Sequence, residues 1–187
     1  CLEALQSRWQ EWRKACEEFN NHSEIIKRGV GIGCCWYGCG NTSMSNPSTM
    51  RVGINSEGTI TLYNGAMDIG QGANTIMIQI CAEALGLPAS SFQFIMGDTD
   101  LTADAGKTSA SRQAFVSGRA SQLAGEHLRA QIIHLAEAEE DANLRLDGRT
   151  LWVQDKNGEH SILLSDLLPR TNGDVLVGEG TFDPPTT

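Results

Sequence analysis

Apolar residues at the start of the chain recur at helical spacing. Leu2, Leu5, Trp9, Trp12, Cys16 and Phe19 form one stripe flanked by Arg8, Glu11, Arg13, Lys14, Glu17 and Glu18. This predicts an amphipathic helix that packs against its own domain and stops at Asn20-Asn21-His22-Ser23. From Arg28 to Gly40 there are five glycines in thirteen residues. With no helix pattern following, the alternation of Gly29, Gly31 and Gly33 reads as a strand closely approached by other backbone rather than a phosphate cradle. Met50, Val52 and Ile54 alternate with polar or small residues, as do Ile60 and Leu62 beyond the turn Asn55-Ser56-Glu57-Gly58, which predicts a β-hairpin.

From Gln71 to Leu85 the pattern becomes helical again. Ile76, Ile80 and Ala84 form one row and Met77, Cys81 and Leu85 its neighbour, with Gly86 as C-cap and Pro88 barring continuation. Phe92, Phe94 and Met96 alternate as a short strand. A second helix is predicted from about Ala110 to Asp141 through Val116, Ala120, Leu123, Leu128, Ile132 and Leu135. Leu151–Val153 and Ser161–Leu164 suggest a second hairpin, Ser165–Leu168 a short helix, and Val175–Val177 a last strand. These elements make an α+β fold: a mixed, mostly antiparallel sheet with β-hairpins packed by two long helices, preceded by the N-terminal amphipathic helix. Residues 1–27 read as that helix and a linker, and 28–187 as a single domain.

Composition narrows the function classes. A chain of 187 residues, 40% hydrophobic and 20% charged, suits one soluble domain that buries about 70% of its unfolded surface. No apolar run approaches the roughly 18 residues that span a bilayer. The formal net charge of −9 argues against nucleic-acid or anionic-membrane binding. Cys1 in place of Met, and an end that reads as mid-protein sequence, suggest a piece of a longer chain. The six cysteines include Cys34, Cys35 and Cys39 in one segment, but their spacing fits neither zinc nor iron–sulfur patterns. Free thiols fit a reducing, cytoplasmic compartment.

Two loops carry the candidate chemistry. Asp68-Ile69-Gly70-Gln71-Gly72 and Lys107-Thr108-Ser109-Ala110-Ser111-Arg112-Gln113 each open a helix. Small residues at a helix start leave N–H groups open to an anion, which the helix dipole also favours. The Gln71 amide can read a heterocycle edge or a phosphate; Thr108, Ser109 and Ser111 offer hydroxyls; Arg112 can pair bidentately with phosphate. The plain alternative is that these residues only cap their helices. Asp98, Asp100 and Asp104 lack the EF-hand glycine and glutamate, so Asp98 and Asp104 read as Asx turns. No nucleophile–base pair stands out.

The order of motifs resembles the molybdenum-cofactor-binding large subunit of the xanthine dehydrogenase and aldehyde oxidoreductase family. The matching segments are Phe19-Asn20, Lys27-Arg28-Gly29-Val30-Gly31, Gly58-Thr59-Ile60, Asp68 to Thr75, Gln79-Ile80 and Glu83-Ala84-Leu85-Gly86, then Gly97-Asp98-Thr99-Asp100 and Thr108 to Gln113 with Gly118. The resemblance runs from about Phe19 to Pro185 and rests on the joint occurrence of D-x-G-Q-G, G-D-T-D and T-S-A-S-R-Q. It implies that residues 28–187 are part of a molybdopterin-holding domain in an enzyme that hydroxylates an aldehyde or N-heterocycle with water as oxygen source. It carries cofactor binding onto Ile69, Gly70, Gln71, Gly72, Ser109, Ala110, Ser111, Arg112 and Gln113. The arginine of S-R-Q resembles members that use the cytosine dinucleotide form. The resemblance also implies iron–sulfur and FAD partners on other domains or subunits, the remainder of the large subunit, and a small-molecule substrate. The family's catalytic glutamate, in a G-x-G-E segment, lies downstream of these residues. Gly178-Glu179-Gly180 is superficially similar but matches the strand before it, so the chain is expected to be inactive alone. A stand-alone nucleotide- or phosphate-binding module without redox work is the alternative reading of the same loops.

Overall fold

In a computed structural model that describes residues 1–170 and 172–186, the predicted hairpin forms as β1 (Ser48–Asn55) and β2 (Ile60–Asn64). Its register sets Ile54 opposite Ile60 and Val52 opposite Leu62, so these four apolar side chains share one face. The turn closes because the Asn55 side-chain oxygen accepts the N–H groups of Glu57 and Thr59 at 3.0 and 2.9 Å. Gly58 takes the positive φ of 83° that the turn requires.

β3 (Phe92–Met96) joins β2 in parallel, with α2 (Ala73–Leu85) as the crossover. β7 (Asp174–Phe182) pairs antiparallel with β1, giving the order β3-β2-β1-β7. α2 and α3 (Gly118–Leu135) supply the helical residues of the core against this sheet. Met50, Val52, Ile54 and Leu62 pack with Met77, Cys81, Leu85, Ala124 and Leu128, all fully buried, and each large aliphatic side chain contributes about 1.5–3 kcal/mol. The layers are close because glycine lines them. A Cβ on Gly178 would stand 2.2 Å from the Ala124 carbonyl oxygen, and one on Gly180 2.4 Å from that of Ala120. α3 also covers the outer edge of β7: Gln131 Nε2 donates to the Val177 carbonyl at 2.6 Å, and His127 Nδ1 lies 3.1 Å from the Glu179 backbone nitrogen.

A second, antiparallel sheet runs β4-β5-β6, from β4 (Asn143–Asp147), β5 (Thr150–Asp155) and β6 (Gly158–Leu163). Its Leu151 and Val153 extend the same core. The observed architecture is α+β with mixed, mostly antiparallel pairing.

Several expectations need correction. The glycine-rich stretch from Arg28 to Gly40 contains no strand, and a Cβ on Gly29, Gly31 or Gly33 would meet nothing within 4 Å. Among the described residues, then, nothing closes on the side of these glycines where a Cβ would stand. The second long helix is shorter than its periodicity: a π-helical turn (Gln113–Ser117) leads into α3, which ends at Leu135 rather than near Asp141. Glu137 adopts a positive φ of 51°, which breaks the helical run. The short helix near Ser165 is a 3-10 turn over Leu164–Asp166. The first loop helix begins at Ala73 rather than Gln71, since Gly72 is left-handed with φ 81°.

Contacts divide the chain into two units, Cys1–Tyr37 and Gly38–Thr187. In the first, α1 (Leu2–His22) ends as the asparagines predict, but it buries none of its residues, so the expected packing of its stripe is not made within this unit. Its C-terminal end is tied by Asn20, which holds the Arg28 backbone at 2.7 and 2.8 Å, while the Arg28 guanidinium sits 3.8 Å from the centre of the Phe19 ring.

Candidate functional site

The first loop leaves β2 at Asn64, a buried side chain that accepts from the Ala66 N–H at 2.8 Å and donates back to its carbonyl at 3.0 Å. Gly65 fits because any Cβ would fall 2.1 Å from the Ala103 carbonyl oxygen. The chain then wraps around Asp68. Its Oδ1 accepts the N–H groups of Gly70 at 2.8 Å and Gly72 at 3.3 Å, and its Oδ2 accepts that of Asn74 at 3.1 Å. Gly70 and Gly72 adopt φ of 108° and 81° to allow this turn. The backbone N–H bonds from Asn74 and Gly70 lead in holding the Asp68 carboxyl below the usual carboxylate range. The expectation of free N–H groups at the mouth of α2 is therefore corrected in part: a carboxylate of the chain already takes the Asn74 N–H of its first turn, and those of Gly70 and Gly72 just before it. Gln71 is partly engaged as well, its Oε1 accepting from the Ile69 N–H at 2.7 Å and its Nε2 donating to the Met67 carbonyl at 3.4 Å.

The second loop is held from within by Arg112. This side chain is 0% exposed. Its Nη1 donates to the carbonyls of Ala105 and Lys107 at 2.6 and 3.1 Å, and its Nη2 to those of Asn46 and Pro47 at 2.9 and 3.0 Å. A Cβ on Gly106 would lie 2.7 Å from Nη1, so glycine makes room for the guanidinium. Burial pushes the Arg112 pKa down and Asp104 pushes it up. The expected bidentate grip of Arg112 on a phosphate is thus corrected: both terminal nitrogens are committed to backbone carbonyls. The loop's outer turn is unusual. Ala110 and Ser111 are consecutive non-glycine residues at φ 51°, a conformation that costs about 1–3 kcal/mol each and clusters at functional sites. Gly40 braces it by donating its N–H to the Ala110 carbonyl at 2.8 Å. The left-handed Ser111 precedes the right-handed Arg112, whose N–H donates back to the Ser109 carbonyl at 3.2 Å and closes the turn.

The two loops converge. Thr108 Oγ1 donates to the Met67 carbonyl at 2.8 Å, the same oxygen that faces Gln71 Nε2. Gln113 Nε2 donates to Thr108 Oγ1 at 3.1 Å and to the Lys107 carbonyl at 3.2 Å. Ile69, Gly70, Gln71, Gly72, Ser109 and Ser111 are exposed on these loops, Ala110 is half-buried, and Arg112 and Gln113 are buried beneath them. The donor set suits a phosphate-bearing ligand: exposed hydroxyls at Ser109 and Ser111, the N–H groups that open the π-helical turn, and open space over Gly70 and Gly72. Among the described residues, the enclosed polar atoms without a protein partner include two at these loops, the Asn74 side-chain oxygen and Arg112 Nε. The structural roles of Met67, Asp68 and Thr108 went unassigned in the sequence, because the Met67–Thr108 bond crosses 41 residues. The Asx turns were foreseen: Asp98 Oδ1 accepts from Asp100 and Leu101 at 2.9 and 3.1 Å, and Asp104 Oδ1 from Gly106 at 2.7 Å.

Comparison with known proteins agrees with the motif order. A family profile for molybdopterin cofactor-binding domains matches residues 3–186. The putative xanthine dehydrogenase molybdenum-binding subunit XdhA of Escherichia coli K12 is 36% identical over 129 residues, 66% of this chain and 17% of that protein. Xanthine dehydrogenase of Calliphora vicina is 33% identical over 139 residues, 74% of this chain and 10% of that protein. The crystal structure of the aldehyde oxidoreductase from Desulfovibrio desulfuricans ATCC 27774 shares the fold, with a TM-score of 0.65 and 24% identity over 98% of this chain and 18% of that one. The chain therefore spans less than a fifth of the length of these relatives. It belongs to the molybdopterin cofactor-binding domain family, of the xanthine dehydrogenase and aldehyde oxidoreductase type.

Proposed function

We propose that this chain is the cofactor-cradling portion of a molybdenum hydroxylase, an enzyme that hydroxylates an aldehyde or N-heterocycle with oxygen from water. The observation that carries the reading is the meeting of two ligand-competent loops at the Met67 carbonyl, inside a chain that matches the family profile over most of its length. Residues 28–187 form the cofactor-holding part, preceded by a helix and linker at 1–27. Ile69, Gly70, Gln71 and Gly72 border the ligand from one side. Ser109, Ala110 and Ser111 face it from the other with hydroxyl and N–H donors. Arg112 and Gln113 act from beneath, by fixing the turn. The ligand is molybdopterin, in its cytosine dinucleotide form, and when bound its molybdenum supplies the redox and oxygen-transfer chemistry.

The substrate pocket and the glutamate base belong to the rest of the large subunit, so the isolated chain is inactive. Iron–sulfur and flavin groups on other domains or subunits take the electrons onward. Among the described residues no helix is long and apolar enough to cross a membrane, and we assign the enzyme to the cytoplasm. The test is cofactor content of the full-length enzyme. Replacing Ser109 and Ser111 together by Ala removes two phosphate-facing hydroxyls, and molybdenum and pterin per chain should fall by roughly tenfold. A double variant that keeps its full pterin content would refute the reading.

A further inference from the structure

We propose that Thr108 is a positioning residue that sets the distance between the two cofactor loops. This rests on the reading of those loops as one cradle. Its hydroxyl is used twice, donating to the Met67 carbonyl at 2.8 Å and accepting from Gln113 Nε2 at 3.1 Å. Each bond leads onward. The Met67 carbonyl also faces Gln71 Nε2, and the Gln71 oxygen accepts the Ile69 N–H. On the other side Gln113 Oε1 accepts from the Ser117 hydroxyl, which accepts from the Ser48 hydroxyl at 2.9 Å.

Ser48 and Ser117 are both 0% exposed, Ser48 on β1 and Ser117 at the end of the π-helical turn. The run of bonds thus begins in the rigid core and ends at the exposed tip of the Gln71 loop, and Thr108 is where it crosses between segments 41 residues apart. Asp68 shapes the first loop and Arg112 the second, each within its own surroundings. Thr108 fixes one relative to the other. A ligand that must touch both loops gains affinity when their separation is set before it arrives.

Thr108→Val keeps the side-chain shape and removes both bonds, whereas Thr108→Ser keeps the hydroxyl. In the full-length enzyme, T108V should lose pterin and molybdenum on prolonged dialysis roughly tenfold faster than wild type, and T108S should stay within about twofold. In cofactor-free protein, amide exchange over residues 67–72 should rise by about tenfold in T108V while Tm moves by less than about 2 °C. Unchanged exchange and unchanged retention in T108V, or a T108S that behaves like T108V, would overturn the positioning role alone. A wild-type enzyme isolated without pterin would overturn the cofactor reading on which the role depends.

Discussion

At Arg112 a guanidinium is enclosed by four carbonyls, and among the described residues no carboxylate is bonded to it. The charge is satisfied by dipoles, and the cost of removing it falls on the acceptors left behind. Arg112→Met should destabilise the chain by roughly 2–4 kcal/mol in denaturant unfolding, because several enclosed carbonyls lose their donor at once. Arg112→Lys should recover only part of this, since one ammonium cannot span the same fork. Asp68 makes a pH prediction. Its pKa is depressed in the fold, so its hold on the loop is complete above the unfolded value of about 4 and is lost as the pH falls through the lower, folded one. Amide signals of Gly70, Gly72 and Asn74 should shift together below about pH 4 and lose that transition in Asp68→Asn. Cys81 gives a chemical contrast: burial pushes its thiol up to about 12, whereas Cys34, Cys35 and Cys39 are exposed. A native-state thiol titration should label those three quickly and Cys81 only after unfolding.

The elements were legible where local chemistry decides them. The Asn55–Gly58 turn, the alternation on β1 and β2, and the Gly86 stop with φ 84° are all written in adjacent residues. β4 escaped because its apolar content is only Leu144 and Leu146, both half-buried, after an acidic run. The glycines after Arg28 misled for the opposite reason: alternation without an approaching neighbour does not make a strand. Glycine does matter between β7 and α3. Gly178→Ala places a methyl 2.2 Å from the Ala124 carbonyl oxygen, and the backbone there cannot yield cheaply. We expect a loss of about 1–3 kcal/mol, against a near-neutral effect for the exposed Glu179→Ala on the same strand, both read from unfolding midpoints.

For the molecule as a whole, every residue of the buried core cluster lies between Met50 and Leu176, inside the second unit. A chain lacking residues 1–37 should therefore unfold cooperatively with a Tm within about 2 °C of the intact one, which calorimetry can check. The family was readable from three short motifs taken jointly, although each is weak alone. The site was readable only as segments. Which side chains face outward, and which brace the loops from beneath, depended on contacts spanning tens of residues, as with Arg112 and Asn46. An arginine beside a serine-rich turn is a natural phosphate ligand by composition, and here burial reverses that assignment.

The π-helical turn at Gln113–Ser117 carries a consequence for how this region can vary. One residue more than an α-helical turn rotates everything upstream by about 100° about the helix axis. Excising Ala114 would let the coil tighten into regular geometry, and the serine-bearing bend would then swing away from Gln71 although every side chain that forms it was retained. The aim of that bend is thus encoded by residue count as well as by residue type.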